Sequence, residues 1–497
     1  MRDKFIKAVR ASASMSFLAG IIGFLSAGLA LKVYDTNILG LIQLVQAILF
    51  LIVGILGLPM INTGIVQYFS NKENKTEKII ESSLGYIIII YLSIIFMLVL
   101  LTIFESNRTT KNPYFINYKD FYIMLLVILS SFLEQVNLIL NSKVISNNLT
   151  FAIYIDKGNF ILSQLLLIIL INYSKDINLY LAMILIFGII KFLILYINCS
   201  IEDKKMIRPI FDIKIIKILP YISKSSYLGS LVSILNSYGD KILLYLYGGL
   251  DNLPIYNLAQ SATSFLHQLI YSISYPFFPL LSAEGERGKI KARSIDSRQR
   301  FVIISLGCFV YSISIILVPT TILLINNNIN IQLFTTFVIL SSIQGYLVCI
   351  SLIPIFGLLA LNERKILATI EWCTGLLILL LSLLLGSLYG ALGVAISRLG
   401  YITQSILSTE KYTSLLNFKS INDKFGMIMI NTLIILTSII YSIFKQSFII
   451  SKYSIIVDVI FIVFLILLWY LLQLLTRNGK INLEFIRDSI KELIMRK

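Results

Sequence analysis

Runs of about 20 apolar residues recur along this chain, and most of the breaks between them carry Lys or Arg. Twenty residues of helix are what the ~30 Å hydrocarbon core of a bilayer demands. Inside that core only structures that satisfy their own backbone hydrogen bonds are viable. The runs predict about fourteen spans, at 12–33, 39–66, 80–103, 119–141, 149–172, 177–198, 221–247, 253–282, 300–325, 331–361, 364–386, 391–410, 425–445 and 454–475. Only 14% of the residues are charged, against about a quarter in a soluble domain. The expected class is an all-α polytopic membrane protein. Its basic start (Arg2, Lys4, Lys7, Arg10) resembles the n-region of a signal peptide, but the apolar run through Val33 has no convincing cleavage site and reads as a retained first span.

Cations in short loops orient such a chain. The loops on the side of the N-terminus hold about 30 Lys and Arg, among them Lys72, Lys204, Arg287, Arg364 and Lys411, against about 7 on the other side, including Arg108 and Lys445. This places both termini in the cytoplasm and makes the span number even. It also accounts for the +16 formal charge without nucleic acid. The longest outer loop, near Glu105 to Lys119, is too short to house a catalytic domain. The tail after Leu475 alternates apolar and basic residues. It suits either the inner leaflet, attracted by anionic lipid, or the cytoplasmic end of the bundle.

Within Lys224–Lys241, Ser226, Ser230, Ser233, Ser237 and Asp240 follow the i, i+4, i+7, i+11, i+14 spacing of one helical face. Such a stripe either lines a hydrated passage or lets two helices pack closely; the neighbouring Asp240-Lys241 pair favours the passage. A shift of 214 residues lays Ser12, Ser16, Ala19, Gly23 and Ser26 on it, and Gln43 and Gln46 on Asn257 and Gln260. One residue out of register, Asp156 meets Glu371. An offset of six spans gives two parallel six-helix halves, 1–215 and 216–412, with 413–497 outside the repeat. The expected passage runs between the halves, lined by the two stripes and these amides.

Ionisable groups within spans cost at least about 2.5–3.5 kcal/mol each at the bilayer centre and are functional candidates by default. The cations are Lys157, Lys191, Lys224, Lys241 and Arg398, with Lys157 and Arg398 the deepest; Lys224 and Lys241 lie near helix ends, where they can snorkel. The anions are Glu134, Asp156, Asp240, Glu371 and Asp458. Ser130, Glu134, Asn137 and Asn141 share a face of the fourth span; Asp156, Asn159 and Ser163 share one of the fifth. These faces suit a hydrated crevice with carboxylates available for ion coupling, or a structural ion pair with Lys157. His267, the only histidine, reads as an interhelical donor. The four cysteines are far apart and form no CxxC pair, and no P-loop or HExxH motif occurs. Neither an enzyme nor a metal site is expected.

Three stretches carry a family resemblance. LGLIQLVQAILFLIVGILGLPMINTGIVQYFS (Leu39–Ser70) has a Gly-Leu opening and a Gln-rich start. Tyr238–Ser282 holds YGDKILLYLYGG, LPIYNLAQ and YPFFPLLS. Ala360–Ser397 joins a basic loop, ALNERK, to the step YGALGVAIS. Together they resemble the polysaccharide-exporter branch of the multidrug/oligosaccharidyl-lipid/polysaccharide (MOP) exporter superfamily, and most of all its O-antigen flippases. The resemblance implies a cofactor-free translocase in a bacterial inner membrane. It would carry an undecaprenyl-diphosphate-linked oligosaccharide between leaflets by alternating access, with Lys157, Lys191, Lys241 and Arg398 supplying a cationic cavity. It also implies membrane lipid, a polysaccharide polymerase and a chain-length regulator as partners. Other exporters of the superfamily, for peptidoglycan lipid precursors or drugs and cations, are the nearest alternatives. A membrane polymerase or glycosyltransferase is a more distant one.

Overall fold

The computed structural model describes residues 2–56, 76–106, 118–147, 149–203, 208–210, 212, 231–232, 234–274, 289–326, 329–361, 363–415, 422–448 and 454–474. Every regular element among them is helical: α1 Arg2–Val33, α2 Thr36–Ile55, α3 Thr76–Ser106, α4 Tyr118–Asn147, α5 Leu149–Tyr173, α6 Ile177–Asp203, α7 234–248, α8 Asn252–Ser274, α9 Lys289–Ile325, α10 Ile331–Ala360, α11 Arg364–Tyr389, α12 Ala391–Ser397, α13 Tyr401–Leu415, α14 Asn422–Phe448 and α15 Ser454–Leu474. Eleven of these are long and apolar enough to cross a bilayer. The protein is an all-α polytopic membrane protein.

The other three expected spans differ for separate reasons. Much of 221–247 lies outside the described residues. The start of 253–282 forms α8, whose 23 residues include Asn257, Gln260, His267 and Gln268 and are less apolar than the eleven, while 275–282 lies outside the described residues. The run 391–410 is not one helix, because a 3₁₀ turn at Arg398–Gly400 separates α12 from α13. Turns are tight where glycine permits them: Gly249 and Gly390, at the ends of α7 and α11, have φ of 81° and 61°, a left-handed region that side chains disfavour.

Two compact units result, Met1–Pro254 with Ser382–Val394, and Ile255–Leu381 with Ala395–Lys497. In the first, α4 is central, touching α2, α3, α5 and α6, while α1 runs along α5. Helix α7 belongs to this unit by packing. Tyr238 stacks on Phe50 of α2 with ring centroids 5.1 Å apart, and Thr36 Oγ1 donates to Asp251 at 2.7 Å.

In the second unit α9 is central, with α10, α14 and α15 around a core that includes Tyr311, Phe356 and Trp469. Pro319 lies inside α9. Proline lacks the N–H that would reach Ile315, and Ser442 of α14 donates to the Ile315 carbonyl instead, at 3.4 Å. The Trp469 indole donates to Asn431 at 3.0 Å, fixing α15 on α14. His267 meets the Tyr311 hydroxyl at 3.3 Å, an interhelical bond between α8 and α9.

Near the cytoplasmic end expected for α10, a Cβ on Gly357 would fall 2.1 Å from the ring of Tyr412, itself buried beneath the Arg300 guanidinium. Overpacking of this kind costs about 1–3 kcal/mol. Gly357→Ala is therefore expected to lower the thermal midpoint of the detergent-solubilised protein, and an unchanged midpoint contradicts this packing.

Candidate substrate site in the first unit

Three helices bring intramembrane charges together. Glu134 lies near the middle of α4, Asp156 and Lys157 in the first half of α5, and Lys191 just past the middle of α6. Lys191 Nζ is 2.5 Å from Asp156 Oδ1. Lys157 Nζ lies 3.7 Å from the other oxygen, Oδ2, so one carboxylate serves two cations. Glu134 is within electrostatic reach of both Lys191 and Asp156.

The supporting contacts are amides. Asn137 Nδ2 donates to the Gly188 carbonyl at 3.0 Å, and Asn159 Nδ2 to the Phe187 carbonyl at 3.3 Å. They hold α6 one turn before Lys191, from two different helices. Tyr91 of α3 shares a 2.8 Å hydrogen bond with Ser131, one turn before Glu134 and Gln135. By contrast Ser130 and Ser163 bond back to their own helices, at Val127 and Phe160, and add nothing to the cluster.

Exposure separates the cluster from a purely structural ion pair. The Lys157 and Asp156 side chains keep 31% and 32% of their surface accessible, and Glu134 is exposed. Facing lipid, each would carry the full cost of a charge in hydrocarbon. Groups so placed need water or a polar ligand beside them, which is what a transport site provides.

The remaining expected residues fall in several places. Lys241, half-buried on α7, holds its ammonium 5.5 Å from the centroid of the Tyr238 ring, and Tyr238 is within electrostatic reach of Glu134. Asp240 is buried and Ser237 exposed. Gln43, Gln46 and Asn257 are half-buried, while Gln260 donates to the Tyr256 hydroxyl at 2.7 Å. Arg398 and Glu371 belong to the second unit, Arg398 buried in the 3₁₀ turn and Glu371 half-buried on α11. Lys224, Ser226, Ser230 and Ser233 lie outside the described residues, as does the side chain of Ser12.

The stripe on α1 has a plain packing use here. Ser16, Ala19 and Ser26 are buried, and a Cβ on Gly23 would meet the Phe160 ring of α5 at 3.2 Å. Small residues let α1 lie close along α5. In this conformation Ser16 and Ser26 form a seam inside the first unit instead of an open wall.

One charged group escaped the sequence reading. Lys445, assigned there to an outer loop, lies inside α14 and bonds both oxygens of Asp458 on α15, at 2.6 and 2.5 Å. Asp458 is fully buried and also accepts from Tyr441 and from Thr320 of α9, each at 2.8 Å. The available signal was a pair of opposite charges, each a turn inside the facing ends of two successive spans. Every oxygen is occupied and none is open to a ligand, so this is a latch between helices.

No protein-family model matches the sequence, and no curated protein does. Solved structures match in three dimensions. A lipid II flippase MurJ in an inward closed conformation superposes with a TM-score of 0.69 at 15% identity, over 96% of this chain and 99% of that one. A mutant of the Vibrio cholerae MATE transporter VcmN gives 0.54 at 14% identity, over 84% and 98%. A MOP superfamily transporter from Pyrococcus furiosus gives 0.56 at 13% identity, over 82% and 95%. Likeness at these identities establishes the fold alone: the chain shares the fold of these solved transporters.

Proposed function

We propose that the protein is an exporter that moves an undecaprenyl-diphosphate-linked oligosaccharide, an O-antigen or capsule repeat unit, from the inner to the outer leaflet by alternating access. It would sit in the bacterial inner membrane with both termini in the cytoplasm. The observation that carries this reading is the partly exposed Lys157–Asp156–Lys191–Glu134 cluster within the apolar helices of the first unit. Lysines at that depth suit an anionic head group, and a diphosphate is matched by charge-assisted hydrogen bonds. Lys241 and, in the second unit, Arg398 are further candidate ligands.

The breadth of the structural likeness favours a lipid-linked substrate over a drug or cation. MurJ matches over 96% of the chain, too much to omit both α14 and α15, whereas the MATE and Pyrococcus furiosus transporters match over 84% and 82%. The same observation supports a second reading, in which the cargo is a peptidoglycan lipid precursor. A polymerase or glycosyltransferase fits less well, given outer loops too short for catalytic machinery.

Deletion in the native host is expected to leave lipid-linked repeat units facing the cytoplasm and to abolish surface polysaccharide. Arrest of peptidoglycan synthesis with normal surface polysaccharide would select the second reading. Normal outer-leaflet units with altered chain length would point to a polymerase.

A further inference from the structure

The charges of the first-unit cluster cancel. Lys157 and Lys191 contribute two positive charges, and Asp156 and Glu134 two negative ones. Both ammonium groups approach the same carboxylate, Asp156, at 3.7 and 2.5 Å. Glu134 is different: it is exposed, and no hydrogen bond or ion pair joins it to another described residue, though it senses both Lys191 and Asp156.

Among the described residues, little else at this depth can adjust the balance. Between Ser14 and Leu31 α1 has no ionisable side chain, and α2 has none at all. The nearby part of α3 offers the Tyr91 phenol, hydrogen-bonded to Ser131. Helix α7 offers the Tyr238 phenol within electrostatic reach of Glu134, with buried Asp240 and the Lys241 ammonium next along the chain. Two phenols stay neutral near pH 7, and Asp240 and Lys241 offset each other.

An electrically neutral cluster is a poor host for a diphosphate. One added proton changes that. With a proton from solvent on a Glu134 oxygen, the carboxylate becomes a neutral carboxyl, and the cluster carries one net positive charge without breaking the Lys191–Asp156 pair. The neutral carboxyl also becomes a hydrogen-bond donor towards phosphate oxygen. By thermodynamic linkage, an anion that prefers the protonated form draws a proton in as it binds.

We propose that this cluster binds the diphosphate of the substrate together with one proton, taken up on Glu134. The inference rests on the reading of the chain as an exporter of a diphosphate-linked lipid and adds to it a linked equilibrium at the site: proton and substrate bind together. Lys157 and Lys191 are the anion ligands, Asp156 positions Lys191, and Glu134 sets the stoichiometry.

The test is calorimetric titration of the whole protein in nanodiscs with farnesyl diphosphate, in buffers of different ionisation enthalpy. Wild type is expected to take up about one proton per ligand bound, with affinity falling as pH rises, by up to tenfold per pH unit for one linked proton. Glu134→Gln is expected to bind without that uptake and with a flatter pH dependence; the titration of the ligand itself is common to both proteins. Lys191→Gln is expected to bind at least tenfold more weakly. Equal proton uptake by wild type and Glu134→Gln would overturn the inference and leave the exporter reading standing. So would binding that is indifferent to Lys157→Gln and Lys191→Gln together, since the diphosphate would then lie elsewhere. Failure of folded wild type to bind the probe would overturn both.

Discussion

Lys445→Met is expected to destabilise the protein by about 3–5 kcal/mol, the usual cost of leaving a buried charge without its partner. Asp458 has no surface exposed, and Lys445 bonds both of its oxygens. Without the ammonium, the carboxylate keeps only the Tyr441 and Thr320 hydroxyls. The double variant Lys445→Met/Asp458→Asn removes both charges and is expected to recover most of the loss. Thermal unfolding in detergent measures both. A single variant as stable as wild type, or a double variant no better than the single, would show that the latch does not hold α14 and α15 to α9.

Lys191→Ala carries the largest expected functional effect. A hydrogen bond to a charged group contributes about 1.5–3 kcal/mol, so losing one from the diphosphate slows export by roughly 10–100-fold. Asp156→Ala removes the partner that aims Lys191 and is expected to impair export too. In a double-mutant cycle the two losses should be strongly non-additive, because the residues touch at 2.5 Å. Lys241→Ala, whose ammonium lies 5.5 Å from the centroid of the Tyr238 ring, is expected to have the smaller effect. Equal export by Lys191→Ala, Lys241→Ala and wild type at equal membrane abundance would remove the cluster from the transport path.

Much of this architecture is legible in the chain because a bilayer imposes one length and one backbone solution. Helices α1 to α6, α9 to α11, α14 and α15 follow directly from apolar runs. Two runs are less plain. Amides of α8 lower its hydropathy below that of the other spans, and the turn at Arg398 divides a run that hydropathy alone joins.

The candidate site was legible one residue at a time. Glu134, Asp156, Lys157 and Lys191 all stand out because a charge at that depth is costly. A crevice shared by the fourth and fifth spans, or a pair with Lys157, was legible from their polar faces; the part of Lys191 was not, since it reaches Asp156 across 35 residues and between helices. Small residues are ambiguous by nature: a row of Ser, Ala and Gly serves a smooth passage and a tight helix seam equally. Only Phe160 against Gly23 reveals which use α1 makes of its row in this conformation. Lys445 was hidden because its apolar run ends with it, which gave it the look of a loop residue.

Reconstitution tests the central claim most directly. Purified protein in liposomes carrying labelled undecaprenyl-diphosphate oligosaccharide on one leaflet should make the glycan accessible to a lectin on the other side, and Lys191→Gln should abolish most of that transfer. Transfer no faster than in protein-free liposomes, from folded protein supplied with a proton gradient of either sign, would contradict the account.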